Sequence, residues 1–318
     1  MSFKIIVTRD FDHMSSIAAG IVSEDIARKQ AEKDEYVLGL ATGNSPTGLY
    51  KKLAAALDES TLDASRIRSF NLDEYVGLPG ENPQQRALHP ESYSYFMISE
   101  LFGLLRTKFA ETNVPWGTLI DQNALVAALE ADTSTYELQG TDKGKAIVIN
   151  DDADGLLGWI KREVLDAYEQ KIERFGGIDL HIVGVGGRGH VAFHESGIPF
   201  ENNRMLLVRL DDNTVENAVA DGHFVSLDES PRYAISMGTE LVYKAKTVVL
   251  VANGARKTGP VAESVLGDVT PDVPISYGQT FSASGGRLVY VLDETAATEL
   301  LDRRAEVEAK GYEFIDMR

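Results

Sequence analysis

The sequence predicts a single doubly wound α/β domain over residues 1–318, with a mostly parallel, Rossmann-like sheet. Three observations carry that expectation. Short β-branched runs alternate with helical periods along the chain, without a low-complexity linker or an internal repeat. The run Ile178-Asp179-Leu180-His181-Ile182-Val183 has the apolar character of a strand buried on both faces. It breaks at once into Gly184, Gly186, Gly187 and Gly189, followed by His190 and Glu195. Ligands in open α/β sheets bind beyond the carboxyl ends of the strands, which is where such a loop would sit. Turn chemistry and a satisfied loop histidine fit the same residues.

The elements follow in order. Lys4–Thr8 reads as a strand, and 11–33 carries a helical period with Ile17, Ile21, Val22 and Ile26 on one face. Tyr36–Leu40 is the next strand. It runs into Ala41-Thr42-Gly43-Asn44-Ser45-Pro46-Thr47-Gly48 and then a helix through Leu57. A Gly/Ser/Thr turn between strand and helix suits an anion, because backbone N–H groups and the helix dipole both point at it. The GK(S/T) ending of a Walker loop is missing, and an ordinary capped turn fits as well. A strand over Arg66–Asn71 ends at Leu72-Asp73-Glu74-Tyr75. Its two carboxylates are either solvated or a base with a neighbour, and alternation sends the two side chains in different directions. A helix starts near His89-Pro90-Glu91-Ser92-Tyr93 and runs to about Leu105. Residues 106–145 are polar and aperiodic apart from Leu125–Leu129, and read as an insertion too poor in apolar residues for its own core. Further strands are expected at Ala146–Ile149, Arg204–Arg209, Thr247–Val251 and Arg287–Leu292. Helices are expected at Gly155–Arg174, Asp211–Asp221, Gly238–Lys244, Ala255–Leu266 and Glu294–Arg304.

Composition limits the chemistry. The formal net charge of −18 opposes nucleic acid or an anionic membrane as partner, while a few converging cations could still hold an anionic small molecule. The chain has no cysteine, so disulfides, thiol nucleophiles and thiolate metal sites are excluded. The first residues lack a signal peptide's charged and apolar regions, and no apolar run reaches membrane-spanning length, so a cytoplasmic protein is expected. Association into a homo-oligomer is compatible with the sequence.

Several segments match one pattern in order from about residue 36 to 292. Thr42-Gly43-Asn44-Ser45-Pro46 is similar to TG(S/T)TP, and Phe70-Asn71-Leu72-Asp73-Glu74-Tyr75 to FN(M/L)DEY. His89–Tyr93 matches HPESY, Gly186–Glu195 is similar to GxxDGHIAFNEP, and Gly254-Ala255-Arg256-Lys257 to a late G-A-x-K. The chain thus resembles the glucosamine-6-phosphate deaminase family, whose wider fold family includes 6-phosphogluconolactonases and sugar-sensing domains of bacterial regulators. The resemblance implies the sugar-phosphate isomerase fold and an amino-sugar phosphate substrate. The sugar is opened, a proton moves from C2 to C1 and the resulting imine loses ammonia, with no metal or redox cofactor. It implies His190 as ring-opening acid/base, Asp73 as the carboxylate that shuttles the C2 proton, and Glu195 as the partner that orients His190. It implies a phosphate held by Thr42, Gly43, Asn44 and Ser45 with Arg204 and Lys257.

The sequence departs from the pattern at Arg188, where the family has an aspartate two residues before the histidine, and at His194, where it usually has asparagine. A cation at 188 disfavours a charged imidazole or draws Glu195 away from His190. Arg188 is therefore expected in the catalytic set, retuning the site for another sugar phosphate. Alternatively it faces solvent and a carboxylate such as Asp179 fills the missing role. Lactone hydrolysis, or sugar-phosphate binding without catalysis, are the other readings. The Gly80–Leu88 loop and residues 106–145 are longer than in compact family members.

Overall fold

Alternation along the strands decides the layering. The computed structural model describes residues 2–59 and 61–318. Its strands are β1 (Ser2–Thr8), β2 (Tyr36–Leu40), β3 (Ile67–Asn71), β4 (Asp73–Val76), β5 (Glu111–Asn113), β6 (Tyr136–Gln139) and β7 (Lys145–Ile149). After them come β8 (Leu180–Val183), β9 (Met205–Arg209), β10 (Tyr233–Met237), β11 (Thr247–Ala252), β12 (Arg287–Asp293) and β13 (Glu313–Asp316). In β1, Phe3, Ile5 and Val7 enter one apolar layer and Ile6 the other. In β11, Val248, Leu250 and Ala252 divide from Val249 and Val251 in the same way, and in β12 Leu288, Tyr290 and Leu292 divide from Val289 and Val291. A sheet apolar on both faces must be covered on both, which is the doubly wound α/β arrangement.

Eight strands form that sheet in the order β13-β1-β12-β11-β8-β2-β3-β5, and every pairing in it is parallel. The Phe11–Gln30 helix covers one face with Met14, Ala18, Val22 and Ile26, spaced one helical turn apart. Its first turn is closed by Asp10, whose carboxylate accepts the His13 N–H at 2.8 Å.

A second sheet, of five strands in the order β4-β10-β9-β7-β6, is antiparallel throughout. The strands expected at Ala146–Ile149 and Arg204–Arg209 belong here rather than to the parallel sheet. Leu207 and Ile235 face the helices between Gln122 and Arg174, while Leu206, Val208 and Ala234 pack with Phe193 of the glycine loop. Within residues 106–145, β5 extends the large sheet beside β3, and β6 pairs with β7. The expected helix at Gly155–Arg174 is present as two helical stretches, Gly155–Trp159 and Ala167–Arg174, joined by widened turns over Ile160–Asp166. Among the described residues no helix is long and apolar enough to cross a membrane.

β2 and β8 are neighbours in register Gly39↔His181, and the imidazole lies across the glycine. A Cβ built on Gly39 would fall 1.5 Å from His181 Cδ2. The ring is fully buried, donates Nδ1–H to the Val242 carbonyl at 2.9 Å, and is pulled down to about 4 by burial, so it is neutral. Gly39→Ala is expected to destabilise the fold by about 1–3 kcal/mol, as overpacking does. The paired change Gly39→Ala/His181→Ala is expected to cost less than the sum of the two single changes. Urea midpoints of the four proteins check this, and strict additivity would contradict it.

Candidate active site

Four strands of the parallel sheet deliver their carboxyl ends to one cleft of about 510 Å³. β2 leads into Ala41–Pro46, β3 into Leu72 and Asp73, β8 into Gly184–His190, and β11 into Asn253–Lys257; all of these stretches contribute lining residues. The opposite wall is the Asp212–Ala220 helix with Thr214, Asn217 and Ala218, followed by Asp221 and His223. This is the crevice that an open α/β sheet offers to ligands.

Asp73 and Glu74 divide as strand alternation requires. Asp73 lines the cleft at 5 % exposure, with Oδ1 buried and without a hydrogen-bond partner. Glu74 turns the other way and is fully buried. Its Oε1 accepts the Tyr75 and Tyr93 N–H groups, each at 3.0 Å. Its Oε2 accepts the Ser94 N–H at 3.0 Å and the Ser92 and Ser94 hydroxyls at 3.2 and 3.1 Å. Burial pushes Glu74 up to about 7 against those donors, and pushes Asp73 well above the ordinary carboxylate range, with the Glu74 charge adding to the effect. An unpartnered, desolvated carboxylate is basic enough to accept a proton from carbon.

His190 shares the cleft and is held by Glu195, whose Oε2 lies 3.1 Å from Nδ1. Nε2 is left for substrate. The ring folds back over Gly186, where a Cβ would come 1.8 Å from Nε2, so only glycine lets the imidazole occupy that place. Glu195 is 1 % exposed, and its Oε1 accepts the Asp211 N–H at 3.3 Å. His194 is a structural departure. Its Nδ1 accepts the Thr239 N–H at 3.0 Å, its Nε2 donates to the Ile198 carbonyl at 3.0 Å, and burial pulls it down to about 4.

Arg188 is not brought to the cleft wall. Its Nε lies 2.9 Å from Asp211 Oδ2, an ion pair without hydrogen-bond alignment, and Glu195 stays on His190. Asp211 caps the helix it precedes, accepting the Asn213 N–H at 3.1 Å. Asp179 does not fill the vacated position either. It sits at the other end of β8, paired with Lys33 and with Lys246 at 2.8 Å.

Of the residues expected at a phosphate, Thr42, Gly43, Asn44, Ser45 and Lys257 line the cleft. Ser45 Oγ donates to Asn253 Oδ1 at 2.7 Å, tying the first turn to the last. Lys257 Nζ donates to the Val185 carbonyl at 2.7 Å, and burial together with nearby Arg256 lowers its pKa. Arg204 is not among them. Because β9 lies in the antiparallel sheet, the Arg204 guanidinium pairs with Glu169 and, at 3.0 Å, Glu173 on the outer Ala167–Arg174 helix. Sequence reasoning missed Arg256, Asn217 and His223, all of which line the cleft. Only Arg256 carried a signal, as the variable position beside Lys257.

Arg188→Asp sets a third carboxylate beside Asp211 and Glu195, and is expected to lower kcat/KM about tenfold, since each pKa unit of disturbance is worth about 1.4 kcal/mol. Steady-state kinetics that improve in this variant would contradict the assignment. Asp73 must be ionised to act as a base, and its pKa is raised, so activity is lost as pH falls through that raised value. The acid limb of kcat/KM is therefore expected above the ordinary aspartate value of about 3.9. A limb at or below that value would contradict it.

Two curated relatives and three solved structures set this cleft among known proteins. The glucosamine-6-phosphate deaminases of Clostridium botulinum (strain Loch Maree) and Clostridium acetobutylicum are each 32% identical to the chain over 297 residues. These alignments cover 93% of this chain and 98% and 100% of theirs. The structure of a monomeric glucosamine-6-phosphate deaminase superposes with a TM-score of 0.68 at 26% identity, covering 93% of this chain and 99% of that one. The 6-phosphogluconolactonases of Trypanosoma brucei and Plasmodium vivax share the fold, with TM-scores of 0.57 and 0.60 at 15% and 14% identity. They cover 94% of this chain each, and 100% and 93% of their own. No family model matches the chain.

Proposed function

The chain belongs to the glucosamine-6-phosphate deaminase family, and we propose that its cleft converts an amino-sugar 6-phosphate to a ketose phosphate and ammonia through Asp73, His190 and Glu195. The observation that supports this most is Asp73: a buried, unpartnered carboxylate facing the cavity that His190 also faces.

The steps follow from the groups. His190, oriented by Glu195, moves protons between the ring oxygen and the C1 hydroxyl and so opens the sugar. Asp73 takes the proton from C2 of the open aldehyde. The released pair forms a C1=C2 double bond while the aldehyde oxygen takes a proton, giving an enolamine. Asp73 then returns its proton to C1 as the nitrogen lone pair forms the C2=N bond of an iminium. Water adds to that carbon and ammonia departs, giving the ketose. The tyrosine and phenylalanine rings of Tyr75, Tyr93 and Phe193 line the cleft beside Asp73 and limit the water around it. The phosphate lies against the Gly43–Ser45 turn and Lys257, where backbone N–H groups and an ammonium meet it.

Asp73→Asn keeps the shape of the side chain and accepts no proton. With glucosamine 6-phosphate in deuterium oxide, the parent protein is expected to exchange deuterium into the sugar carbon skeleton. Asp73→Asn is expected to lose that exchange by at least about a hundredfold, within the usual span for a positioned base, while still binding the sugar. NMR of the sugar reads both, and exchange at the parent rate in Asp73→Asn would remove Asp73 from the mechanism.

A further inference from the structure

We propose that Arg256 is the second cation that holds the substrate phosphate, in the role the sequence assigned to Arg204. This rests on the sugar-phosphate reading above and names a specificity-determining residue within that site. The cleft offers few positive groups. Arg204 is paired on the outer helix and Arg188 is paired with Asp211, so neither reaches it. Among the described lining residues the Lys and Arg side chains are Arg256 and Lys257, beside the imidazoles of His190 and His223. His190 is occupied with Glu195, and His223 with Glu91 at 2.7 Å.

Lys257 alone is a poor clamp for a phosphate ester. Its ammonium already gives one hydrogen to the Val185 carbonyl. The protein carries a formal charge of −18, whose field repels an anion unless local cations outweigh it. A phosphate monoester at neutral pH bears between one and two negative charges, which a single partly buried ammonium does not balance. Arg256 is adjacent in sequence on the same turn, and close enough for the two charges to influence each other.

The guanidinium is also placed and unspent. Its Nη2 donates to Asp221 Oδ1 at 2.7 Å, which fixes the side chain at the cleft against the end of the Asp212–Ala220 helix. No other hydrogen bond uses its remaining donors among the described residues. A planar fork with one edge anchored and another free is the geometry that receives two phosphate oxygens at once. The side chain is 65 % exposed, so substitution there leaves the core untouched.

The test compares Arg256→Gln, Arg256→Lys and Lys257→Ala with the parent, using glucosamine 6-phosphate as substrate and inorganic phosphate as competitive inhibitor. For Arg256→Gln, KM and the phosphate inhibition constant are both expected to rise about ten- to a hundredfold, the worth of a charged hydrogen bond, while kcat changes by less than about threefold. Arg256→Lys is expected to restore part of both, which a merely structural role for Arg256 would not require. If Lys257→Ala raises both constants and Arg256→Gln leaves both at parent values, Arg256 is idle and the sugar-phosphate site stands without it. If the parent neither turns over the substrate nor responds to phosphate, the functional reading itself fails, and this inference fails with it.

Discussion

The carboxylate of Glu74 joins the strand that carries Asp73 to the helix that begins at Tyr93. Three backbone N–H groups and two hydroxyls converge on it, from Tyr75, Ser92, Tyr93 and Ser94. Hydrogen bonds to a charged group are worth about 1.5–3 kcal/mol each, enough together to keep a fully buried carboxylate where an apolar side chain would otherwise be favoured. The sequence segments Asp73-Glu74-Tyr75 and His89–Tyr93 are separated by residues 76–88, and this contact joins them. Because strand side chains alternate, fixing Glu74 inward leaves Asp73 facing the cleft. The same burial raises the proton affinity of Asp73, so the structural device and the chemical one share a single cause.

The Asp212–Ala220 helix shows how the departures from the family pattern are absorbed. Asp211 at its start is paired with Arg188 from the glycine loop, and Asp221 at its end with Arg256 from the last turn. Two of the cleft-bearing loops thus each hold one end of the helix that forms the facing wall. Arg188 acts on the position of that wall, and the His190–Glu195 pair remains intact beneath it. His194 completes the local framework by accepting one backbone hydrogen bond and donating another, so its imidazole bridges two backbone segments as a neutral group.

Legibility in the sequence followed the physical range of each signal. The central strands β2, β8, β11 and β12 are largely apolar runs and were readable as such, as were β1 and the more polar β3. β4, β6 and β10 of the antiparallel sheet and β5 and β13 at the edges of the parallel one are short, so alternation over three to five residues could not place them. β9 was recognised as a strand, but its period carries no record of which sheet receives it; the family pattern set Arg204 at the phosphate, whereas its guanidinium pairs with Glu169 and Glu173. Asp73, His190 and Glu195 were singled out beside turns at strand ends, and Lys257 through the family pattern alone. Arg256 and His223 were not, because exposed charges become part of a site only when distant loops converge.

The central claim is that this cleft deaminates an amino-sugar phosphate rather than hydrolysing a lactone on a shared fold. The direct measurement offers the purified protein glucosamine 6-phosphate and 6-phosphogluconolactone side by side, quantifying ammonia and ketose phosphate from the first and acid release from the second. The account expects ammonia and ketose phosphate in equal amounts and lactone decay at the spontaneous rate. Accelerated lactone hydrolysis with no ammonia formed would contradict it.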